Sequence, residues 1–167
     1  ERTSVELIRT LGSKDNTAKT PGIIYRENNQ RIFSEKRPLI EALDSIPNPA
    51  RHLVNLNRYS DVLSKERACA TMITSRGCPY SCIYCDRHNR MGNKWRSLSN
   101  RRIIDEMQEL KTQYGIKEIM FFDDEFIIDR SRTIEFCNLI LEQTLKVIWE
   151  CRTRVDVVDR ELLRIMK

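Results

Sequence analysis

Three cysteines lie close together in the middle of the chain and follow one another with CxxxCxxC spacing: Cys78, Cys82 and Cys85. A short apolar and β-branched run precedes them and ends at Gly77. Thiolates are soft ligands that suit iron–sulfur clusters, zinc or copper(I). Because Pro79 restricts the loop backbone, the loop can direct three thiols at one centre. The spacing therefore predicts a metal or cluster site.

The number of thiols helps to distinguish a zinc site from an iron–sulfur cluster. A structural zinc site usually has four protein ligands, and ferredoxin clusters usually take four cysteines. Three thiolates on a 4Fe-4S cluster would leave one iron open to a substrate. Alternatively, His88 follows Cys85 with CxxH spacing and could complete a zinc site. A disulfide is disfavoured because three clustered thiols cannot all pair and such near neighbours are awkward to bridge.

The composition predicts a soluble, ordered protein. The chain has 167 residues, 32% of them charged, with five glycines and five prolines, which suffices for one domain and part of another. No run of 18 apolar residues and no signal-peptide pattern is present, so we expect a cytoplasmic, reducing environment without a membrane span. The remaining cysteines, which are Cys69, Cys137 and Cys151, are expected to be small buried hydrophobic residues.

The charge pattern favours a solvated surface over a nucleic-acid groove. The net charge is +5, and basic residues alternate with acidic ones along most of the chain. One basic patch is the exception and consists of Arg87, Arg90, Lys94, Arg96, Arg101 and Arg102.

The first 67 residues are predicted to form a helix followed by a linker with some structure of its own. Apolar residues at helical spacing predict a helix over 1–12 that ends at Gly12. Two short strands, at 23–25 and 31–33, flank a turn-forming sequence and predict a β-hairpin. Prolines make extended chain the expectation for the rest of a linker over 13–67.

From residue 68 the pattern alternates between strands and helices. Strands are predicted at about 70–76, 118–122 and 146–152. Helices are predicted from Ser99 to about 115, over 130–144, and after Asp159. Alternating βα units imply an α/β fold with parallel strands and right-handed crossovers. A (β/α) barrel uses roughly 30 residues per unit, so 68–167 would form a partial barrel of about three βα units.

Charged residues follow the second and third of these strands. Asp123, Asp124 and Glu125 follow the second, and Arg154 follows the third. Functional residues of parallel barrels cluster at the carboxyl ends of strands, so these residues and the cysteine loop should share one rim. A solvated helix start is the alternative for the acidic residues. An ion pair with Asp156 or Glu150 is the alternative for Arg154. Alternation places Trp149 towards the helices and the charged face inward.

The CxxxCxxC spacing after a first strand, with the aromatic Tyr84 before the last cysteine, resembles the radical S-adenosylmethionine (radical SAM) enzymes. The resemblance implies that Cys78, Cys82 and Cys85 hold a 4Fe-4S cluster. It implies that the open iron binds S-adenosylmethionine through its amino and carboxylate groups. Reductive cleavage would then give a 5′-deoxyadenosyl radical that abstracts hydrogen from a substrate, with Tyr84 helping to seat the adenine.

Further motifs resemble the branch of this family that carries a cobalamin-binding domain. The acidic residues, flanked by Phe122 and Phe126, are similar to the Asp-Asp version of the motif that holds the methionine amino group. In this family the motif often reads Gly-Gly-Glu-Pro, and the present sequence departs from that form. The preferred acceptors for the amino group are Asp124 and Glu125, followed by Asp123. Arg154, in a Trp-x-Cys-x-x-Arg-Val-Asp context, would meet a carboxylate. The helix at 1–12 would be the last helix of a mostly missing cobalamin-binding domain.

The resemblance implies a cobalamin-dependent methyltransferase in full-length form, with cyclisation and rearrangement also found in this branch. It implies an electron donor such as flavodoxin or ferredoxin and leaves the substrate unknown. The alternatives are a transfer RNA methylthiotransferase-like radical SAM enzyme and a zinc-stabilised binding module that uses His88. A partial barrel lacks the later strands, so we expect these 167 residues alone to be weakly active or inactive.

Overall fold

The computed structural model describes residues 1–12, 17–86 and 91–167. The chain divides into two compact units, Glu1–Ile40 and Glu41–Lys167. The first unit contains α1 (Arg2–Thr10), β1 (Ile24–Glu27) and β2 (Gln30–Phe33). The second contains β3 (Cys69–Met72), β4 (Ser75–Arg76), β5 (Arg96–Ser97), α2 (Asn100–Tyr114), β6 (Glu118–Phe121), α3 (Arg130–Glu142), β7 (Ile148–Cys151) and α4 (Arg160–Met166).

The first unit consists of a helix and an antiparallel hairpin. Strands β1 and β2 pair across Asn28 and Asn29, whose φ angles of 46° and 64° suit a tight hairpin turn. Within this unit, Arg37 forms an ion pair with Glu6 of α1. Helix α1 has no buried residue. The assignment of 1–12 to a cobalamin-binding domain and the boundaries at 12 and 67 stay predictions.

The second unit is built on a parallel sheet with the order β3-β6-β7. Helix α2 lies between β3 and β6 in sequence, and α3 lies between β6 and β7. Met72 is in register with Phe121, and Phe121 with Cys151, so the three strands end at about the same level. The predicted α/β fold with parallel strands is confirmed, and the loops that follow these strands share one edge of the sheet.

Local capping residues fix where the helices begin and end. Ser99 accepts a hydrogen bond from the backbone N–H of the third residue of α2, as the sequence predicts for a helix start there. Gly115, with φ of 67°, ends α2 in the left-handed conformation. Asp129 and Asp159 cap α3 and α4 in the same way as Ser99 caps α2. The hydrogen bonds of these caps lower the pKa of both aspartates.

Apolar helix faces and aromatic rings form the core between the sheet and the helices. The predicted inward positions of α2 are all fully buried: Ile103, Ile104, Met107 and Leu110. Trp149 packs against Phe136 of α3 with ring centroids 5.3 Å apart, which confirms that this face of β7 points to the helices. Phe121 and Phe126 complete the aromatic cluster.

The three cysteines outside the predicted site belong to this sheet and its helices. Cys69 and Cys137 are buried, as predicted, whereas Cys151 is only half-buried. Burial raises the pKa of Cys137 to about 11 and that of Cys151 to about 12. These thiols therefore stay protonated at neutral pH, which is the state expected of packing residues.

The segment before β3 is held against the start and the flank of the sheet. It forms three short 3₁₀ turns, where the prolines led us to expect extended chain: Leu43–Ser45, Arg51–Leu53 and Leu56–Arg58. Arg51 forms a buried ion pair with Glu106 of α2 and donates to the carbonyl of Thr71 in β3. Glu118, the first residue of β6, accepts hydrogen bonds from the backbone N–H groups of residues 65 and 66, both at 2.7 Å. No helix in the described ranges has both the length and the apolar character needed to cross a bilayer.

Candidate functional site

The loop of residues 77–86, here the cysteine loop, leaves the short strand β4 through a glycine that no other residue could replace without strain. Gly77 has a φ of 82°, and a Cβ atom on it would lie 2.3 Å from the carbonyl oxygen of Lys94. The next residue, Cys78, donates its backbone N–H to the carbonyl of Gly92 at 3.3 Å and is buried. Backbone packing against residues 92–94 therefore fixes the first cysteine.

The second and third cysteines are half-buried and lie in a tight turn, in which the N–H of Cys85 donates to the carbonyl of Cys82 at 3.1 Å. Arg154 Nη1 donates to Cys82 Sγ at 3.4 Å. Among the described residues, no three His, Cys, Asp or Glu side chains converge as ligands of one metal ion. Three cysteines on one loop supply the soft sulfur donors that iron–sulfur clusters take.

The loop of residues 122–126, here the acidic loop, follows β6 beside the cysteine loop. Asp123 is 2% exposed and accepts hydrogen bonds from the backbone N–H and the hydroxyl of Thr74, both at 3.0 Å, and from the hydroxyl of Ser75. Burial raises the pKa of the Asp123 carboxyl, although these hydrogen bonds oppose the rise. Asp123 thus joins the end of β6 to the residues that lead into the cysteine loop.

Glu125 joins the acidic loop to the other neighbouring strand. It is 2% exposed and accepts hydrogen bonds from the N–H of Ile127 at 3.1 Å, from the hydroxyl of Thr153, and from the N–H of Arg154 at 2.8 Å. Asp124 lies between the two buried carboxylates and is exposed. The predicted trio therefore separates into two carboxylates that brace the strand ends and one that faces solvent.

Arg154 connects the end of β7 to the cysteine loop. Its Nε and Nη2 donate to the carboxylate of Asp156 at 2.9 and 2.6 Å, which is the ion-pair alternative considered from the sequence. This hydrogen-bonded pair raises the pKa of Arg154 and lowers that of Asp156. The guanidinium also lies over the ring of Tyr80, 4.2 Å from its centroid, and contacts Cys82.

Of two further residues in the predicted site, the structure describes one and not the other. Tyr84, next to Cys85, is 89% exposed, so its ring lies in solvent and not against the acidic loop. His88, the proposed fourth ligand of a zinc site, lies outside the described residues. The role of Tyr84 with adenine and the zinc alternative both stay predictions.

The basic patch is not a continuous surface of solvated cations. Arg96 is 7% exposed and donates to the carbonyls of Lys94 and Met91, so it holds the backbone that returns from the cysteine loop. The other described members have partners as well: Lys94 with Glu41, Arg101 with Asp105, and Arg102 with Ile46 and Asn48. Arg87 and Arg90 lie outside the described residues.

Sequence reasoning missed Thr74, Ser75, Tyr80 and Arg132. Arg132 is 9% exposed, donates to the hydroxyl of Thr74 at 3.1 Å and lies 5.6 Å from the ring centroid of Trp95. Burial lowers the pKa of this guanidinium. The hydroxyl pair at the end of the first strand was a usable signal, because such groups commonly satisfy a buried carboxylate. Nothing local to Tyr80 or Arg132 indicates their long-range partners.

Comparison with curated proteins finds relatives along the whole chain. An uncharacterized methyltransferase of Pyrococcus horikoshii is 32% identical over 167 residues, which is 100% of this chain and 36% of the relative. An anaerobic magnesium-protoporphyrin IX monomethyl ester cyclase of Cereibacter sphaeroides is 28% identical over 176 aligned positions, covering 100% of this chain and 28% of the relative. The chain therefore spans little more than a third of the length of the first and less of the second.

Solved structures share the fold. The cobalamin-dependent S-adenosylmethionine radical enzyme OxsB, determined with aqua-cobalamin and S-adenosylmethionine bound, superposes with a TM-score of 0.75 at 24% identity over 98% of this chain and 24% of that chain. The radical S-adenosylmethionine methyltransferase TsrM of Kitasatospora setae, with cobalamin and a [4Fe-4S] cluster, gives a TM-score of 0.60 at 20% identity over 86% of this chain and 29% of that chain.

The segment that carries the cysteine loop, the acidic loop and Arg154 is also the segment that matches a known family. Residues 72–167, more than half of the chain, match the Radical SAM superfamily. The match begins at the last residue of β3 and extends through β6 and β7 to the end of the chain. The chain belongs to the radical SAM superfamily.

Proposed function

We propose that this chain is part of a cobalamin-dependent radical SAM methyltransferase and supplies its cluster loop and the first three βα units of a partial barrel. The observation that carries the proposal is the placement of Cys78, Cys82 and Cys85 on one loop at the carboxyl edge of a parallel sheet, inside the matched segment. The methyltransferase name of the Pyrococcus relative and the cobalamin of the two solved enzymes support methyl transfer. The cyclase name of the Cereibacter relative supports ring formation as the second candidate.

In this proposal the three cysteines hold a 4Fe-4S cluster and leave one iron for S-adenosylmethionine. Once bound, cluster and cofactor supply reductive cleavage of the sulfonium, which yields a 5′-deoxyadenosyl radical. The exposed Asp124 is the acidic residue with the access needed to accept a hydrogen bond from the amino group of the methionine moiety. Tyr84, also exposed and adjacent to the third cysteine, would cover the adenine once the cofactor is bound.

Asp123 and Glu125 serve this site by positioning it. Their carboxylates already accept hydrogen bonds from residues on both neighbouring strands, so an ammonium would have to compete with buried donors. Their proposed contribution is to keep Asp124 and the cysteine loop at a fixed spacing. Electrons would come from a donor such as flavodoxin or ferredoxin, and a cobalamin-binding domain ending in helix α1 would present the methyl group.

The test is anaerobic reconstitution of the full-length protein with iron and sulfide. We expect about four irons per chain with the brown colour of a 4Fe-4S cluster, and S-adenosylmethionine cleavage to 5′-deoxyadenosine under reduction. Serine substitutions at each of Cys78, Cys82 and Cys85 should abolish cleavage and strongly reduce iron content. Cys69→Ser is the matched control, because Cys69 is buried in β3 away from the loop, and it should retain the iron.

Two results would contradict the proposal. A colourless protein that binds one zinc, and loses it in His88→Ala, would favour the zinc-stabilised module. Full iron loading in all three serine variants would show that other residues hold the metal. The isolated 167-residue chain should cleave S-adenosylmethionine weakly or not at all, because the sheet has only three described parallel strands and β7 has no described neighbour on its outer side.

A further inference from the structure

We propose that Arg154 is a positioning residue that donates a hydrogen bond to the sulfur of Cys82 and thereby sets the reduction potential of the cluster. This inference rests on the proposed function, since it requires that Cys82 ligates a cluster. It differs from the sequence-based role of Arg154, which was to bind a carboxylate of the cofactor. The contact that carries it is the 3.4 Å separation between Arg154 Nη1 and Cys82 Sγ.

The guanidinium is held from three directions, so the contact with sulfur does not depend on a freely rotating side chain. Glu125 accepts the backbone N–H of Arg154 at 2.8 Å and so fixes the start of the side chain. Asp156 accepts two hydrogen bonds from Nε and Nη2, which fixes the plane of the guanidinium. Tyr80 covers one face at 4.2 Å. The remaining terminal nitrogen, Nη1, is the one that contacts Cys82.

The three cysteines differ in which groups hold them. Cys78 is buried and held through its backbone N–H by Gly92, and Cys85 is held through its backbone N–H by Cys82. Within the described ranges, Cys82 is the one member of the trio whose sulfur has a side-chain hydrogen-bond donor. The second ligand is therefore tied to the end of β7, whereas the first is tied to the return of its own loop.

Hydrogen bonds to ligand sulfurs are among the factors that set cluster potentials. They draw electron density from the thiolate, stabilise the reduced cluster with its additional negative charge, and so raise the reduction potential. Asp156 largely compensates the charge of Arg154, since both lie in one ion pair with N···O of 2.6 Å. The effect should therefore act through the contact with sulfur more than through the net charge of the region. Removing the donor should shift the potential of the cluster to a more negative value.

The experiment is a potentiometric titration of the cluster in the reconstituted full-length protein, without S-adenosylmethionine, followed by electron paramagnetic resonance. The variant is Arg154→Met, which keeps side-chain length and loses the donors. The matched control is Arg152→Met: Arg152 is exposed, carries the same charge two residues earlier and lies over the ring of Phe122 at 4.0 Å. We expect a shift to more negative potential in Arg154→Met that clearly exceeds the shift in Arg152→Met. Equal shifts, or no shift in Arg154→Met, would overturn the inference.

A second variant keeps the inference testable if Arg154→Met does not hold its cluster. Arg154→Met/Asp156→Asn removes the donor together with the carboxylate that balances its charge, so we expect a shift to more negative potential with iron content unchanged; an unchanged potential would overturn the inference. If Arg154 instead binds the cofactor carboxylate, Arg154→Met would weaken S-adenosylmethionine binding and leave the potential unchanged, which also overturns it. A wild-type protein that takes up no cluster refutes the proposed function, whereas full loading with an unshifted Arg154→Met refutes this inference alone.

Discussion

The cysteine loop and the acidic loop occupy neighbouring positions at one edge of the parallel sheet, but the protein satisfies their side chains to different degrees. In the acidic loop, Asp123 and Glu125 are each 2% exposed and each accept hydrogen bonds from at least two other residues. In the cysteine loop, Cys82 and Cys85 are half-buried and are restrained by one backbone turn and by the contact of Arg154 with Cys82. The two buried carboxylates of the acidic loop are satisfied by the protein itself, whereas Cys82 and Cys85 are partly accessible to a ligand.

This difference indicates separate roles for the two loops. Buried carboxylates with satisfied lone pairs stabilise the fold, and removing them leaves buried donors without acceptors. Partly exposed thiols contribute little packing and are available to a metal centre. Substitutions in the acidic loop should therefore act first on stability, and substitutions of the thiols should act first on iron binding.

The largest effect on stability is expected from Glu125→Ala. The substitution leaves the buried N–H of Ile127, the partly buried N–H of Arg154 and the hydroxyl of Thr153 without their acceptor. An unpaired buried donor costs on the order of 1 kcal/mol or more, and removing a buried carboxylate also loses its charge-assisted hydrogen bonds. We expect the free energy of unfolding to fall by about 3 kcal/mol, as measured by urea denaturation. Glu142→Ala is the control, because Glu142 is exposed on α3, and it should change little. A Glu125→Ala protein as stable as this control would contradict the bracing role of the acidic loop.

A substitution at the entry of the cysteine loop should have the next largest effect. Gly77→Ala combines a φ of 82° with a Cβ atom 2.3 Å from the carbonyl oxygen of Lys94, so the backbone must move. Gly115→Ala is a matched control with a φ of 67° and no atom within 4 Å of the added Cβ. We expect destabilisation of about 1 kcal/mol in Gly115→Ala and about 2 kcal/mol or more in Gly77→Ala.

The two glycine variants should also differ in iron binding. Displacement of the backbone at Gly77 moves the adjacent Cys78, so Gly77→Ala should lose iron on reconstitution while Gly115→Ala keeps it. Equal iron content in both variants would show that the entry of the cysteine loop tolerates movement.

The smallest effect is a pH dependence at Asp123. Burial raises the folded-state pKa of this carboxyl above its ordinary value of 3.8, so the folded state binds the proton more tightly than the unfolded state. The stability that Asp123 contributes is therefore full below pH 3.8 and declines as the pH rises through the raised pKa. Asp123→Asn preserves the shape but loses one acceptor, at a cost of about 1 kcal/mol at acidic pH.

The measurement is the free energy of unfolding of wild type and Asp123→Asn at several pH values. The advantage of the wild type should shrink as the pH rises from below 3.8 towards neutral. A gap that widens with pH would mean that the hydrogen bonds from Thr74 and Ser75 outweigh burial.

The parts of the fold that local patterns determine were predictable. Ser99, Gly115 and Asp159 act through neighbours within a few residues, so the helix ends followed from residue types alone. The parallel strand order followed from the alternation of apolar runs with helical periodicity.

The sequence did not predict which carboxylates of the acidic loop are buried and which is exposed. Asp123 meets Thr74 across 49 residues, and Glu125 meets Thr153 across 28. Which carboxylate is buried depends on the register of β3, β6 and β7, and a shift of one residue would exchange buried and exposed positions. The sequence placed all three acidic residues after the second strand of the sheet but could not separate the exposed Asp124 from its two buried neighbours.

The carboxylate of Glu118 has a mechanical consequence. It anchors the backbone of residues 65 and 66 to the first residue of β6, which is the amino end of that strand and so the opposite end of the sheet from the cysteine loop. Arg51 makes a second anchor nearer the other end of β3, where it donates to the carbonyl of Thr71. The segment before β3 is therefore clamped at two levels of the sheet, which resists its peeling away from the strands.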